Sequence, residues 1–200
     1  MHRPFCVCKT VITWDVLTAK ALNMTLVHTK NLTLRPCAPD DRYDFIALER
    51  DPEVMRHLNG GYSIDQEEPD PNAPFLMPRG TEPYVWTARR SLDQAFVGWF
   101  CLWPETETVA EIGYRIRRQE WGQGFASEGS RALINWGFDT CRYDKIFAST
   151  MAINQASRRV MEKAGLKYVR TFHPDWPEPI AGSEHGEVIY EVVRADWSIK

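Results

Sequence analysis

Between Glu111 and Glu128 the chain reads Glu-Ile-Gly-Tyr-Arg-Ile-Arg-Arg-Gln-Glu-Trp-Gly-Gln-Gly-Phe-Ala-Ser-Glu: an alternating stretch, a turn bearing Gly122 and Gly124, and the start of an amphipathic segment. Glycines at the start of a helix let backbone N–H groups approach a ligand with no Cβ in the way, and the unpaired amides and the helix dipole favour an anion, typically a phosphate. The same two glycines also serve a plain tight turn into a helix, and their spacing alone leaves both readings open. Two better-known phosphate motifs are excluded by position. Ser127 stands where the third glycine of a dinucleotide fingerprint belongs, and no lysine follows Gly129, as a Walker loop requires.

The elements that must position this turn alternate between strand and helix, which predicts an α/β or α+β sheet with helices packed on it. Thr25 to Arg35 alternates as a strand stopped by Pro36 and Pro39. Asp40-Asp41 stands at a helix N-terminus before Tyr43, Phe45, Ile46 and Leu48, and Asp51-Pro52 opens a second short helix ended by Asn59-Gly60-Gly61. Tyr84 to Arg89 and Ala95 to Leu102 read as a hairpin around Ser91 to Gln94, and Ala110 to Ile116 as the next strand. From Gly124 the apolar period becomes helical through about Thr140. A strand Lys145 to Thr150, a helix Gln155 to Ala164 closed by Gly165, and strands Lys167 to Phe172 and Glu187 to Val193 follow. Two proline-rich loops interrupt the order, at 62–83 and 173–186, and loops of such length are either flexible or functional.

Gln119-x-x-Gly122-x-Gly124 resembles the Gln/Arg-x-x-Gly-x-Gly/Ala signature of the GNAT superfamily of N-acetyltransferases. Ala110-Glu111-Ile112-Gly113-Tyr114, Phe125-Ala126-Ser127-Glu128, Asn154-x-x-Ser157, Glu162-Lys163-Ala164-Gly165-Leu166, Tyr190 and Asp196-Trp197 are similar to the RimJ/RimL-type branch. The resemblance covers 31–198 as one domain and leaves 1–30 as an extension of uncertain role, with Met24 a candidate start. It implies an α/β fold with a mixed, mostly antiparallel central sheet, a splayed strand pair and flanking helices. It also implies transfer of acetyl from acetyl-CoA directly to a primary amine, either of a small molecule or aminoacyl group or at a protein N-terminus. The alternative is a non-catalytic acyl-CoA-binding or regulatory protein that keeps the cofactor turn.

Carried over by position, Tyr114, Arg115, Ile116 and Arg117 form the strand end that holds the pantetheine arm. The amides of Gln119, Gly122, Gln123, Gly124, Phe125, Ala126 and Ser127 cradle the pyrophosphate, and Asn154 joins them. Arg117, Arg118 or Arg158 are the candidates for the remaining phosphate charge. Transfer to an amine needs a neutral nitrogen, a polarised thioester carbonyl and a stabilised leaving thiolate. Glu111 stands where some family members place the base, and Ser157 resembles the serine that RimL-like enzymes use beside the thiolate. Met161 occupies the place where many relatives carry an acidic tyrosine, so that route is closed here. Glu111 serves equally as a structural carboxylate at a sheet end, and Asn154 and Ser157 as an ordinary helix cap and first turn. The acceptor cleft falls to the two proline-rich loops, where His173 is a further base candidate and Trp176, Asp175, Glu178 and Glu184 suit a cationic amine.

Composition sets the outer bounds. With 24 Lys+Arg against 27 Asp+Glu and a formal net charge of −3, no basic field draws the 200-residue chain to nucleic acid or anionic membrane. The longest unbroken apolar run, Trp99 to Trp103, falls far below a bilayer span. Lys9 and Asp15 break the N-terminal apolar stretch that an export signal would need. The five scattered cysteines, with Cys6-Val7-Cys8 lacking a metal or redox spacing, fit reduced thiols in a cytoplasm, and no metal site is expected. The resemblance admits a homodimer.

Overall fold

The computed structural model describes residues 26–59, 84–176 and 179–197. The first part of the N-terminal extension, the Gly60-Gly61 helix stop, the proline-rich loop 62–83 and Glu178 lie outside the described residues.

One eight-stranded sheet runs in the order β1 (Val27–His28), β2 (Leu32–Pro36), β3 (Val85–Arg90), β4 (Phe96–Pro104), β5 (Val109–Ile116), β6 (Lys145–Met151), β8 (Glu187–Val193) and β7 (Lys167–Phe172). Every neighbouring pair is antiparallel except β5 and β6. A parallel pair needs a crossover, and α3 (Phe125–Asp139) supplies it. The single strand read over Thr25 to Arg35 is instead a hairpin. Thr29 folds back so that its N–H donates to the Leu32 carbonyl at 2.9 Å, and β1 pairs with β2 through Val27 and Leu34. The sheet therefore takes in two residues that the sequence assigns to the extension.

Two apolar layers follow from strand alternation. On one face Leu32, Trp86, Phe100 and Ile112 meet Phe125, Leu133 and Trp136 of α3 and Met161 of α4 (Gln155–Ala164). The Trp86 and Trp136 rings cross edge to face at 5.0 Å between centroids. On the other face Phe45 and Leu48 of α1 (Arg42–Glu49) and Val54 of α2 (Pro52–Asn59) cover Val85, Phe96 and Trp99. The buried Asp41 carboxylate ties the start of α1 to this face, accepting from Arg35 at 2.6 and 2.7 Å and from the Thr87 hydroxyl at 2.6 Å. Among the described residues no helix is long and apolar enough to cross a membrane.

Candidate active site

The site begins where β5 and β6 part. Their parallel register holds for three pairs, Val109 with Lys145, Ala110 with Ile146 and Glu111 with Phe147, and then stops although both strands continue. On its other edge β5 stays paired with β4 without a register shift, and the Arg117 N–H donates to the Val97 carbonyl at 2.9 Å. In an antiparallel ladder alternate residues turn their main-chain groups to opposite edges. Arg117, Arg115 and Gly113 thus face β4, while Tyr114 and Ile116 face the gap. The Ile116 carbonyl accepts from the Trp121 indole at 2.7 Å, which leaves the main-chain groups of Tyr114 and the N–H of Ile116 towards the opening.

Two side-chain bridges span the gap, one on each face. On the α4 side the Tyr114 hydroxyl lies 2.8 Å from Ser157 Oγ and donates to the Ser157 carbonyl at 3.1 Å. Asn154 caps this helix by accepting from the Ser157 N–H at 3.1 Å, and its own amide donates to Thr150 Oγ1 at 3.1 Å. Burial pushes the Tyr114 phenol above its ordinary value, and the Ser157 contact offsets this only in part. On the α1 side the Ser149 hydroxyl donates to Glu111 Oε1 at 2.8 Å. Burial pushes the Glu111 carboxyl up to about 7; the Ser149 bond opposes this, while the charges of Glu105 and Glu187 add to it.

Arg115 shares the face of Glu111, but its side chain is committed. It is ion-paired with the fully buried Glu49 of α1, and its guanidinium lies 5.1 Å from the Trp99 ring centroid. Burial lowers its pKa to about 9, which leaves it charged at neutral pH. Arg115 is therefore a strut between β5 and α1, and only its main chain belongs to the strand end.

Beyond Ile116 the chain turns through Arg118–Glu120 into the glycine turn. Gly122 and Gly124 sit at φ 77° and 87°, left-handed positions where a side chain is strained even though open space surrounds both. Gly124 is the N-cap of α3 and has no side chain to offer its amides, so the first N–H groups of that helix point outward without an intrahelical partner. Gln119 and Gln123 are exposed on this turn, with the Gln123 amide donating to the Gln119 carbonyl at 3.2 Å. Phe125 anchors the helix in the core, with Ala126 and Ser127 half-buried beside it.

Glu128 fixes the turn from below, and no local signal marks it for that task. Its carboxylate accepts from Thr29 Oγ1 at 2.6 Å, the Asn31 N–H at 2.7 Å and the Asn31 amide at 2.9 Å, which together hold its pKa below the ordinary value against its burial. A cavity of about 420 Å³ runs along α3 from Ser127 to Arg131, Asn135 and Lys163. Arg158 points elsewhere, donating to Tyr190 at 3.1 Å and to the Ala152 carbonyl at 3.1 Å. His173 is exposed, beside Gly186 at the start of β8, and Trp176 is half-buried in the segment between β7 and β8. Among the described residues no group of His, Cys, Asp and Glu is arranged to hold a metal ion.

A family model described as "Acetyltransferase (GNAT) domain" matches residues 31–167. An FsC-acetyl coenzyme A-N(2)-transacetylase of Aspergillus fumigatus is 34% identical over 181 residues, covering 86% of this chain and 77% of that protein. Among solved structures, a GNAT-family acetyltransferase from Bacillus anthracis superposes with a TM-score of 0.67 at 18% identity, covering 86% of this chain and 100% of that one. A RimL ribosomal L7/L12 alpha-N-protein acetyltransferase in complex with coenzyme A superposes with a TM-score of 0.63 at 14% identity, covering 84% and 98%. At these identities the structural likeness speaks for the fold alone.

Proposed function

The chain belongs to the GNAT acetyltransferase family and is an acetyl-CoA-dependent N-acetyltransferase, and we propose that its acceptor is the primary amine of a small molecule, acetylated directly while both reactants are bound. The observation that carries the reading is the splayed joint, beside which strand alternation sets Glu111 on one face of β5 and the Tyr114–Ser157 pair on the other. The A. fumigatus relative is named for transfer to an N(2) nitrogen, which supports an amine acceptor.

Acetyl-CoA supplies the activated acetyl thioester. The residues present fit it: main-chain groups of Tyr114 and Ile116 line the gap, and outward amides from Gly122 to Ser127 form an anion cradle with no Cβ at Gly122 or Gly124. Arg117 stands at the entry, half-buried, and the basic side chains of Arg131 and Lys163 border the cavity beyond Ser127. Asn154 holds Ser157 in the first turn of α4, where its hydroxyl keeps a proton ready for the leaving sulfur. Glu111 takes the proton of the acceptor ammonium, which frees the nitrogen lone pair. A carboxyl titrating near neutrality suits that task better than one at its ordinary value. His173 and Trp176 border the acceptor side from the loop before β8. The motifs Ala110 to Tyr114 and Glu162 to Leu166 support the RimJ/RimL-type branch. The free thiols of Cys101 and Cys141 accord with a cytoplasmic enzyme.

Thiol release from acetyl-CoA, followed across a panel of small primary amines and short peptides, tests the proposal. Release with small amines is expected. Release with peptides alone would move the acceptor to a protein N-terminus. Tight acetyl-CoA binding with no release for any amine would leave the non-catalytic acyl-CoA-binding alternative standing.

A further inference from the structure

Ser149 stands on β6 two residues beyond Phe147, the last residue paired with β5, so strand alternation sets it on the face of Glu111 where the two strands have already begun to part. Its hydroxyl donates to Oε1 at 2.8 Å, and among the described residues no other hydrogen bond reaches the Glu111 carboxylate. One oxygen is thus tethered across the gap, and Oε2 keeps its lone pairs for a proton.

Among the described residues the groups around this carboxylate offer it no competing cation. From β4 comes the Cys101 thiol, which burial pushes up to about 12 and so keeps neutral. Glu105, beyond the end of β4, and Glu187 on β8 are acids that oppose a second negative charge. Arg115, on the same face of β5, is paired with Glu49 of α1, and Lys145 of β6 lies 3.6 Å from Glu191 of β8. Among the described residues the Ser149 hydroxyl is therefore the one hydrogen-bond donor that favours the ionised carboxylate over its acid form.

We propose that Ser149 is the positioning residue of the base: by holding Oε1 it turns Oε2 towards the acceptor nitrogen and stabilises the ionised form that accepts the proton. In that step an N–H bond of the ammonium breaks, its electron pair stays on nitrogen, and an O–H bond forms at Oε2. The proposal rests on Glu111 acting as the base, so its test includes that residue.

The test measures kcat and acceptor KM against pH for the wild type and for Ser149→Ala, Ser149→Thr, Ser149→Cys and Glu111→Gln, with melting temperature as a check on folding. A hydrogen bond to a charged group is worth enough to move a pKa by about one unit. Ser149→Ala should lower kcat about tenfold near pH 7, leave the acceptor KM within about twofold, and move the acidic limb of kcat up by about one pH unit. Ser149→Thr, which keeps the hydroxyl, should restore both rate and limb. A wild-type limb in Ser149→Ala overturns the proposal, and if Glu111→Gln has meanwhile lost the limb, the base assignment survives alone. A limb that persists in Glu111→Gln removes the base assignment first. Should Ser149→Ala fail to fold, Ser149→Cys, similar in size and a weaker donor, should show a partial shift, and an unmoved limb there is equally fatal.

Discussion

The two faces of β5 carry the same kind of link across the same gap and put it to different chemical use. On the α4 side a phenol meets a serine, and on the α1 side a carboxylate meets a serine, at the same 2.8 Å. Burial acts on both in the same direction, against the charged form. A phenol starts near 10, so burial only confirms it as a neutral dipole that orients and donates. A carboxyl starts at 4.5, so a similar push brings it to about 7, where it gains and loses a proton in the working range. One strand therefore carries a fixed dipole on one face and a titrating group on the other, and the surroundings need differ little to achieve it.

The largest expected effect lies on the titrating face. Glu111→Gln should reduce kcat/KM by roughly 10²- to 10⁴-fold, the usual worth of a general base. The wild-type rate should rise with pH through about 7, as Glu111 loses its proton, and the variant should lack that limb. A retained limb would break the contrast between the faces. Next comes stability. Because the folded-state pKa of Glu111 is raised, its contribution is fullest below about 4.5 and is lost as pH rises to about 7. Glu111→Gln should thus be more stable than wild type at pH 8, by up to about 3 kcal/mol, and no more stable at pH 4, as read by denaturant melts at both.

The dipolar face should respond less. Ser157→Ala should lower turnover roughly ten- to hundredfold while acetyl-CoA affinity, measured by calorimetry, stays within about twofold. A variant running at the wild-type rate would remove Ser157 from the chemistry. Tyr114→Phe, which keeps the ring and loses the hydroxyl, should cost about fivefold in kcat and leave the limb near pH 7 in place. Movement of that limb would show that the faces are coupled, against the separation drawn here.

The glycine turn was legible in the sequence because its geometry is local. Positive φ at Gly122 and Gly124 and the unpaired amides of α3 all arise within one contiguous segment. The cap of α4 was readable for the same reason, since Asn154 and Ser157 are neighbours in one turn. The Glu111 face was not, because its partners come from separate strands. Ser149 is 38 residues from Glu111, and only the β5–β6 register brings them together. Arg115 reads as a strand-end arginine until Glu49 of α1 is seen beneath it. The break between β1 and β2 was hidden likewise: Thr29 and Asn31 fit an alternating strand, and the carboxylate that holds them in a turn comes from Glu128.

The short joint between β5 and β6 also bears on how the sheet assembles. Strands β1 to β5 pair in chain order, β6 to β8 form a second antiparallel group, and the strand pairing that joins one ladder to the other is only three residue pairs long. Each group can complete its own hydrogen bonding before the other is in place, and pairing between sequence neighbours closes faster than pairing across the chain. Amide exchange would see this as two cooperative units meeting at a narrow seam, with the Glu111 carboxylate at its last pair.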